Sequence, residues 1–191
     1  AESRRGEDPL IDRLVPPDRE LVDGVEVATD LGFLRVHETP GHAPSHVVLH
    51  EPESGLLISG DHLLGKVSLF FDYGHTPDPV GEFLDSLDVV EELDVRLCLS
   101  GHGRPFRDAG AKVVANRDLV EEQLGRVRGS LESGERVVFD VVADLVGREN
   151  LNAATAGWGM QLVLAYLDRL AVLGEAERLE GSDPVTWRLV A

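Results

Sequence analysis

Three residues of types that bind divalent metals each follow an apolar stretch and stand beside glycine. His42 follows Thr-Pro-Gly, Asp61 follows Ser-Gly, and His102 lies between two glycines in Ser-Gly-His-Gly. Imidazole and carboxylate groups are both ligands that Zn²⁺ accepts. Because each apolar stretch reads as a strand, the spacing predicts that His42, Asp61 and His102 converge at the edge of one sheet.

The elements that must position these residues are short strands alternating with helices. Asp78 followed by Pro79 predicts the start of a helix, with an N-cap and a proline in the first turn. Asp108 can cap a second helix. This alternation predicts a sheet layer covered by helices, an α/β arrangement. The predicted strands are Phe33–Val36, Val47–Leu49, Gly55–Ile58 and Val95–Leu99.

The pattern changes from about Glu135. Val137–Leu145 and Thr155–Leu173 have helical periodicity, and the second stops at Gly174. Two short strands then flank Gly-Ser-Asp-Pro at residues 181–184, which predicts a hairpin. Two helices followed by a hairpin resemble a winged helix. The region from residue 108 holds 9 Lys/Arg against 14 Asp/Glu, which favours a structural or dimerisation role over DNA binding.

The motifs T-P-G-H-x-x-x-H, S-G-D and S-G-H-G, in this order, resemble the metallo-β-lactamase-fold hydrolases. The likeness is to the β-lactamase-like branch near glyoxalase II and a group of single-strand endoribonucleases, which has a C-terminal winged-helix-like region. It runs from about Ile11 to Ala191. The resemblance implies an αββα sandwich, with residues 1–132 forming its C-terminal half and residues 133–191 the winged-helix-like region.

One family motif is absent. The first ligand motif, His-x-His-x-Asp-His, does not occur, and no histidine precedes His37. In the family that motif lies in the N-terminal half of the domain. The resemblance therefore implies that this chain is the C-terminal part of a larger hydrolase, weakly metallated and nearly inactive alone. A missing N-terminal half, or a partner in a homodimer, is expected to cover the inner face of the sheet.

The resemblance also implies roles for individual residues. His42 completes the first metal site, the catalytic Asp61 bridges two divalent ions, and His102 binds the second ion. Zinc suits such ligands, with iron and manganese as alternatives. The implied reaction is attack by metal-bound hydroxide on a small ester, thioester or lactone-like substrate. His46, His62 and Tyr73 are expected behind these ligands or in the pocket.

Composition limits the classes of function. The net charge is −17 and the pI is about 4.7, which argues against binding to a phosphate backbone. The single cysteine, Cys98, excludes a disulfide within the chain and fits a cytoplasmic location. No apolar run approaches the roughly 20 residues of a membrane helix. Two alternatives to the small-substrate hydrolase remain open: a single-strand endoribonuclease, and a non-catalytic binding or structural relative.

Overall fold

The computed structural model describes residues 17–30, 32–179 and 181–190. These residues form strands, α-helices and one short 3-10 helix, and the region before Arg136 differs in architecture from the region after it. In chain order the elements are β1 (Glu26–Thr29), β2 (Gly32–Glu38), β3 (Val47–Glu51), β4 (Leu56–Gly60), α1 (Pro79–Glu91), β5 (Leu97–Ser100), α2 (Ala109–Leu131), β6 (Arg136–Val137), α3 (Val138–Val146), the 3-10 helix Arg148–Asn150, α4 (Ala153–Val172), β7 (Ala176–Leu179) and β8 (Thr186–Leu189).

Strands β1 to β5 form one sheet in the order in which they occur in the chain. β1 to β4 pair antiparallel with their neighbours, and β4 pairs with β5 in parallel. It follows that β2, β4 and β5 run in the same direction, and their C-terminal ends lie at one edge of the sheet. The segments after these three strands carry His42, Asp61 and His102, so the topology brings all three to that edge.

One face of this sheet, the covered face, packs on the helices. His50, Leu57 and Cys98 stand in one row across β3, β4 and β5, and all three are buried. Leu57 and Cys98 join Phe83 of α1 and Val113 of α2 in the hydrophobic core. The sheet and helices are therefore held together by burial of apolar surface on this side.

The opposite face, the open face, is apolar as well. Val36, Leu49, Ile58 and Leu99 stand in a row across β2 to β5. Val36 is buried, but the other three are only partly buried, and among the described residues the core cluster includes none of the four. Strands that are apolar on both faces are typical of sheets with a layer on each side.

The first helix begins where the sequence predicts. Asp78 is the N-cap of α1 and its Oδ1 accepts a hydrogen bond from the Gly81 amide at 2.8 Å. Pro79 occupies the first turn, where its missing N–H costs nothing. The other oxygen of Asp78 binds Arg169 of α4 at 2.6 Å, and both side chains are largely buried. A single carboxylate therefore caps α1 and joins it to the C-terminal helix.

Residues 136–179 and 181–190 form a second, smaller unit around α4. Its sheet has the order β6-β8-β7, and the predicted hairpin is present as the antiparallel pair β7–β8. Asn152 caps α4 in a reciprocal arrangement with Thr155, so the helix begins two residues before the predicted start. At Gly159 a Cβ would lie 2.7 Å from Val142, which shows how closely α4 and α3 approach. No helix in the described ranges has both the length and the apolar character needed to cross a membrane.

Candidate metal centre

The structure brings His42, Asp61 and His102 together. His42 Nε2 lies 3.8 Å from Asp61 Oδ2, and His102 Nε2 lies 3.4 Å from the same oxygen. His42 and Asp61 are about a quarter to a third exposed, whereas His102 is mostly exposed. The three groups thus meet at the surface, with the carboxylate between the two imidazoles.

Helix α1 contacts the turn that carries His42 and fixes its conformation. Gly41 has a φ of +121° and its Cα faces the backbone of Phe83, so no side chain fits there. Ser86 of α1 donates a hydrogen bond to the Pro40 carbonyl at 2.8 Å. These contacts explain why Pro-Gly precedes the histidine: the chain must bend sharply while touching a helix.

Two further glycines leave room for the polar side chains of the centre. A Cβ on Gly101 would collide with Asp61 Oδ1, and a Cβ on Gly60 would lie 2.7 Å from His46 Nε2. The amide of Gly101 also donates to the Gly60 carbonyl at 2.7 Å, which ties the end of β5 to the end of β4. Gly60 and Gly101 are therefore required by close approach to these side chains.

His46 lies behind His42. Its Nδ1 is 2.9 Å from Thr39 Oγ1, and its ring centroid is 5.8 Å from that of His42. Burial lowers the pKa of His46, and the nearby His42 lowers it further, while Asp61 acts in the opposite direction. A neutral His46 with one nitrogen bound to Thr39 keeps the ring in a fixed orientation next to the centre.

His62 is the most buried histidine of the group. It is 2% exposed, and neither ring nitrogen has a hydrogen-bond partner among the described residues. Its ring lies 5.0 Å from Phe83 and 5.9 Å from His46, measured between centroids. Burial, reinforced by His46, lowers the pKa of His62 to about 3, so the imidazole is neutral at physiological pH.

Three aromatic residues after Asp61 have three different environments. The ring of Phe70 lies 5.5 Å from that of His42 and is partly exposed. Phe71 is buried in the core against Phe83. Tyr73 lines a cavity beside Trp187 in the C-terminal unit. The structure therefore places Phe70 next to His42, and it places Tyr73, which was expected behind the ligands or in the pocket, with the C-terminal unit.

The imidazole nitrogens and the carboxylate oxygen of this centre are atom types that bind divalent metals. Two ligand atoms that each lie about 2.1 Å from a tetrahedral ion are about 3.4 Å apart. The separation of His102 and Asp61 matches this value, and that of His42 and Asp61 is wider. Within the described part of the chain, no group of three or more His, Cys, Asp or Glu side chains is arranged to hold a metal ion. The residues present therefore fit a metal as part of a ligand set.

Thr39 and Ser86 were not identified from the sequence as residues that support the centre. Thr39 and Ser86 hold the His42 turn through contacts with His46 and Pro40, and Ser86 comes from a helix 46 residues away from Pro40. Thr39 belongs to the motif T-P-G-H, so its position carried a signal. Ser86 carried none, because its role depends on how α1 packs on the turn.

Comparison with known families gives a match over the part of the chain that contains the centre. The family model described as the metallo-beta-lactamase superfamily matches residues 1–102, which is more than half of the chain. That range ends at His102, the last of the three converging residues. It includes the whole of the five-stranded sheet.

Individual relatives agree with this match. The chain is 35% identical over 107 residues to "Beta-lactamase-like protein 2 homolog" of Caenorhabditis elegans, covering 56% of this chain and 33% of that protein. It is 30% identical over 116 residues to "Probable metallo-hydrolase YqjP" of Bacillus subtilis, covering 58% of this chain and 36% of that protein. The chain thus spans about a third of the length of these relatives.

A solved structure extends the likeness through the C-terminal unit. A beta-lactamase domain protein from Burkholderia ambifaria superimposes with a TM-score of 0.86 and 28% sequence identity. The superposition covers 93% of this chain and 54% of that chain. The likeness therefore includes both the sheet with its candidate centre and the helices and hairpin that follow.

Proposed function

The chain belongs to the metallo-beta-lactamase superfamily, and on that premise we propose that it supplies part of the metal centre of a hydrolase. The observation that carries the proposal is the approach of two imidazoles to one carboxylate oxygen. His42 and His102 both direct Nε2 toward Asp61 Oδ2, at 3.8 Å and 3.4 Å. The name of the Bacillus subtilis relative, a probable metallo-hydrolase, supports the same class of activity.

In this proposal His42, Asp61 and His102 would hold two divalent ions, with zinc suited to the ligands and iron or manganese as alternatives. When bound, such ions supply a Lewis acid and lower the pKa of a water molecule toward neutrality. Asp61 would contribute negative charge between the two imidazoles. Both histidines would bind an ion through neutral imidazole nitrogens, so ligation would compete with protonation.

The residues around the centre would orient the ligands and limit access of water. Thr39 holds the ring of His46 behind His42, and hydrogen bonding of this kind fixes ring orientation in metal sites. Phe70 lies against His42 and shields one side of it. The substrate class in this proposal is a small ester, thioester or lactone-like molecule, whose carbonyl carbon is attacked by water.

We also propose that the ligand set and the sheet are completed by the same additional layer. The open face is apolar and only partly buried, and the described residues form no full metal site. A second layer, from polypeptide outside this sequence or from a second copy, would cover Leu49 and Ile58 and bring further ligands to the same sheet edge. The open face supports this proposal independently of the histidines.

The C-terminal unit is proposed to be winged-helix-like and structural. Its elements follow α2 in the order strand, helix, short 3-10 helix, helix, strand, strand, from β6 to β8. Arg169 and Asp78 join it to α1. The acidic composition from residue 108 onward argues against a phosphate backbone as its ligand, so packing on the hydrolase domain is the role that it supports.

The test uses the gene product that contains this sequence, as its source makes it. Its intact mass is measured first, because the second-layer proposal expects either a longer polypeptide or a dimer. Hydrolysis of an aryl ester, an acyl thioester and a lactone is then measured with and without a chelator. The expected result is metal-dependent hydrolysis of at least one of the three.

The matched variants for this assay are Asp61→Asn and Asp94→Asn. Asp94 is an exposed carboxylate that pairs with Arg96, so its loss controls for the change in charge. Asp61→Asn is expected to reduce kcat/KM by at least about a hundredfold, whereas Asp94→Asn leaves it unchanged. Hydrolysis that survives both chelation and Asp61→Asn would show that the reaction does not use this centre.

A further inference from the structure

A cavity of about 360 Å³ lies between the C-terminal helices and the segment that follows Asp61. This volume falls within the range of small-molecule sites, roughly 300–1,000 Å³. Its walls come from α2, α3, α4 and residues 67–69, and its lining is mostly apolar. The lining residues that carry the argument are Leu119, Gln123, Arg126, Trp158, Leu162 and Tyr166.

Arg126 supplies a positive charge at this cavity. Its guanidinium lies 3.4 Å from Gln123 Oε1 and donates to the Leu145 carbonyl. Within the described residues it has no carboxylate partner, whereas Arg117 and Arg128 of the same helix both form ion pairs. In a chain with a net charge of −17, a guanidinium that forms no ion pair with a carboxylate of the described residues is a place where an anion is attracted.

Tyr166 adds an unsatisfied donor to the same wall. The residue lines the cavity and is fully buried, and its hydroxyl has no hydrogen-bond partner among the described residues. A buried hydroxyl without a partner destabilises the fold. An oxygen atom of a bound ligand would remove that cost, so the hydroxyl favours an occupant with polar as well as apolar atoms.

A second cavity of similar volume, beside Tyr73 and Trp187, also has a buried donor without a hydrogen-bond partner among the described residues, Trp187 Nε1, but its arginine has a different environment. Its arginine, Arg178, lies close enough to the Asp168 carboxylate to lower the pKa of that group, although burial raises it more. The charge of Arg178 is therefore compensated within the protein. Of the two cavities, the Arg126 cavity therefore combines an arginine that has no carboxylate partner among the described residues with a buried tyrosine hydroxyl that has no hydrogen-bond partner there.

We propose that the Arg126 cavity binds a small amphiphilic carboxylate. The apolar body of the ligand would pack against Trp158 and Leu162, and its carboxylate would pair with Arg126. Gln123, one turn before Arg126 on α2, would provide a further polar contact from the same helix face. This site is separate from the candidate metal centre and does not depend on the proposed hydrolase activity.

The placement of the cavity connects it to the centre through one short segment. Residues 67–69 form part of its wall, and the next residue, Phe70, has its ring 5.5 Å from that of His42. A ligand in the cavity would therefore contact a segment that also contacts the candidate metal centre.

Titration of the chain with decanoate, followed by calorimetry and by the fluorescence of Trp158, tests the proposal. Trp158 is 46% exposed at the cavity, so its emission responds to an apolar occupant. Trp158→Phe is used to assign the fluorescence change. One saturable site is expected for decanoate. Decanol, which has the same chain without the charge, is expected to bind at least about tenfold more weakly.

Arg126→Gln is expected to weaken decanoate binding about tenfold or more, and Arg126→Lys, which keeps the charge, less than that. Lys112→Gln is the matched control, because it removes one positive charge from the same helix at a position paired with Asp108. Circular dichroism checks that each variant is folded. Equal binding of decanoate to the Arg126→Gln and Lys112→Gln variants, or absence of saturable binding to the unmodified chain, would overturn the proposal.

Discussion

The covered and open faces of the five-stranded sheet are built from the same strands, yet they differ in burial. On the covered face Leu57 and Cys98 are completely buried and join the helices in one core. On the open face Leu49 and Ile58, each adjacent in sequence to a covered-face residue, are only partly buried. The difference shows that these strand sequences suit a sheet covered on both sides, while the described chain covers one side.

The C-terminal unit differs from the five-stranded sheet in how its own sheet is buried. Its three-stranded sheet packs Trp187 and Ala176 into the same core as α4. The part of the chain that carries the candidate metal centre has an apolar face without a full cover. The unit that carries no candidate ligand buries its own sheet. An open sheet face and a partial ligand set thus occur in the same region, which is what links them in the proposed function.

The largest expected effect comes from truncating a leucine on each face. Leu57→Ala removes a fully buried side chain and should lower the free energy of unfolding by about 2–5 kcal/mol. Leu49→Ala, on the open face, should lower it by about 1 kcal/mol or less, because its side chain is already partly hydrated. Urea unfolding followed by circular dichroism measures both. Equal losses would show that the two faces are equally buried.

The second prediction concerns the loss of folding stability at low pH. The pKa of His62 is about 3 in the folded chain and about 6.5 when unfolded, so the unfolded chain takes up the proton first. The stabilisation from a neutral His62 is complete above pH 6.5 and is lost as the pH falls toward 3. The loss is on the order of a few kcal/mol.

Stability is therefore measured from pH 7.5 to pH 4 for the chain and for His62→Leu, which cannot titrate. The variant should have a flatter dependence on pH than the unmodified chain. His75→Gln, in which an exposed histidine is replaced, should retain the original slope. An unchanged slope in His62→Leu would mean that other groups set the acid sensitivity.

The smallest effect tests the open face as a contact surface. Leu49→Lys places a charge among partly buried apolar side chains and should change the free energy of unfolding by no more than about 1 kcal/mol. Sedimentation velocity over a range of concentrations should show less self-association of this variant. Val114→Lys, at an apolar helix position that is 51% exposed, is the control and should sediment like the unmodified chain. Identical self-association of all three proteins would show that the open face does not mediate self-association.

Much of this arrangement could be predicted from the sequence because its signals are local. Asp78 followed by Pro79 marks the start of α1 through capping chemistry, and the structure confirms it. The apolar runs before Asp61 and His102 predicted two strands, which the structure shows as β4 and β5. Since both residues follow parallel neighbours, their meeting at one sheet edge is a consequence of topology.

Other features depend on tertiary contacts and gave no periodic signal. Phe70, Phe71 and Tyr73 stand close together in the sequence but lie at the candidate centre, in the core and beside the C-terminal cavity. An irregular segment has no fixed repeat that would assign its side chains to faces. The fit of Gly101 against the Asp61 carboxylate is likewise visible only once the strands are placed.

Zinc binding to the chain directly tests whether Asp61 joins His42 and His102 in a partial metal site. A competition titration with a chromophoric chelator gives the affinity and the stoichiometry. We expect weak binding by the unmodified chain, loss of that binding in Asp61→Asn, and no change in Asp94→Asn. Zinc affinity that is the same in Asp61→Asn as in the unmodified chain would contradict the partial metal site.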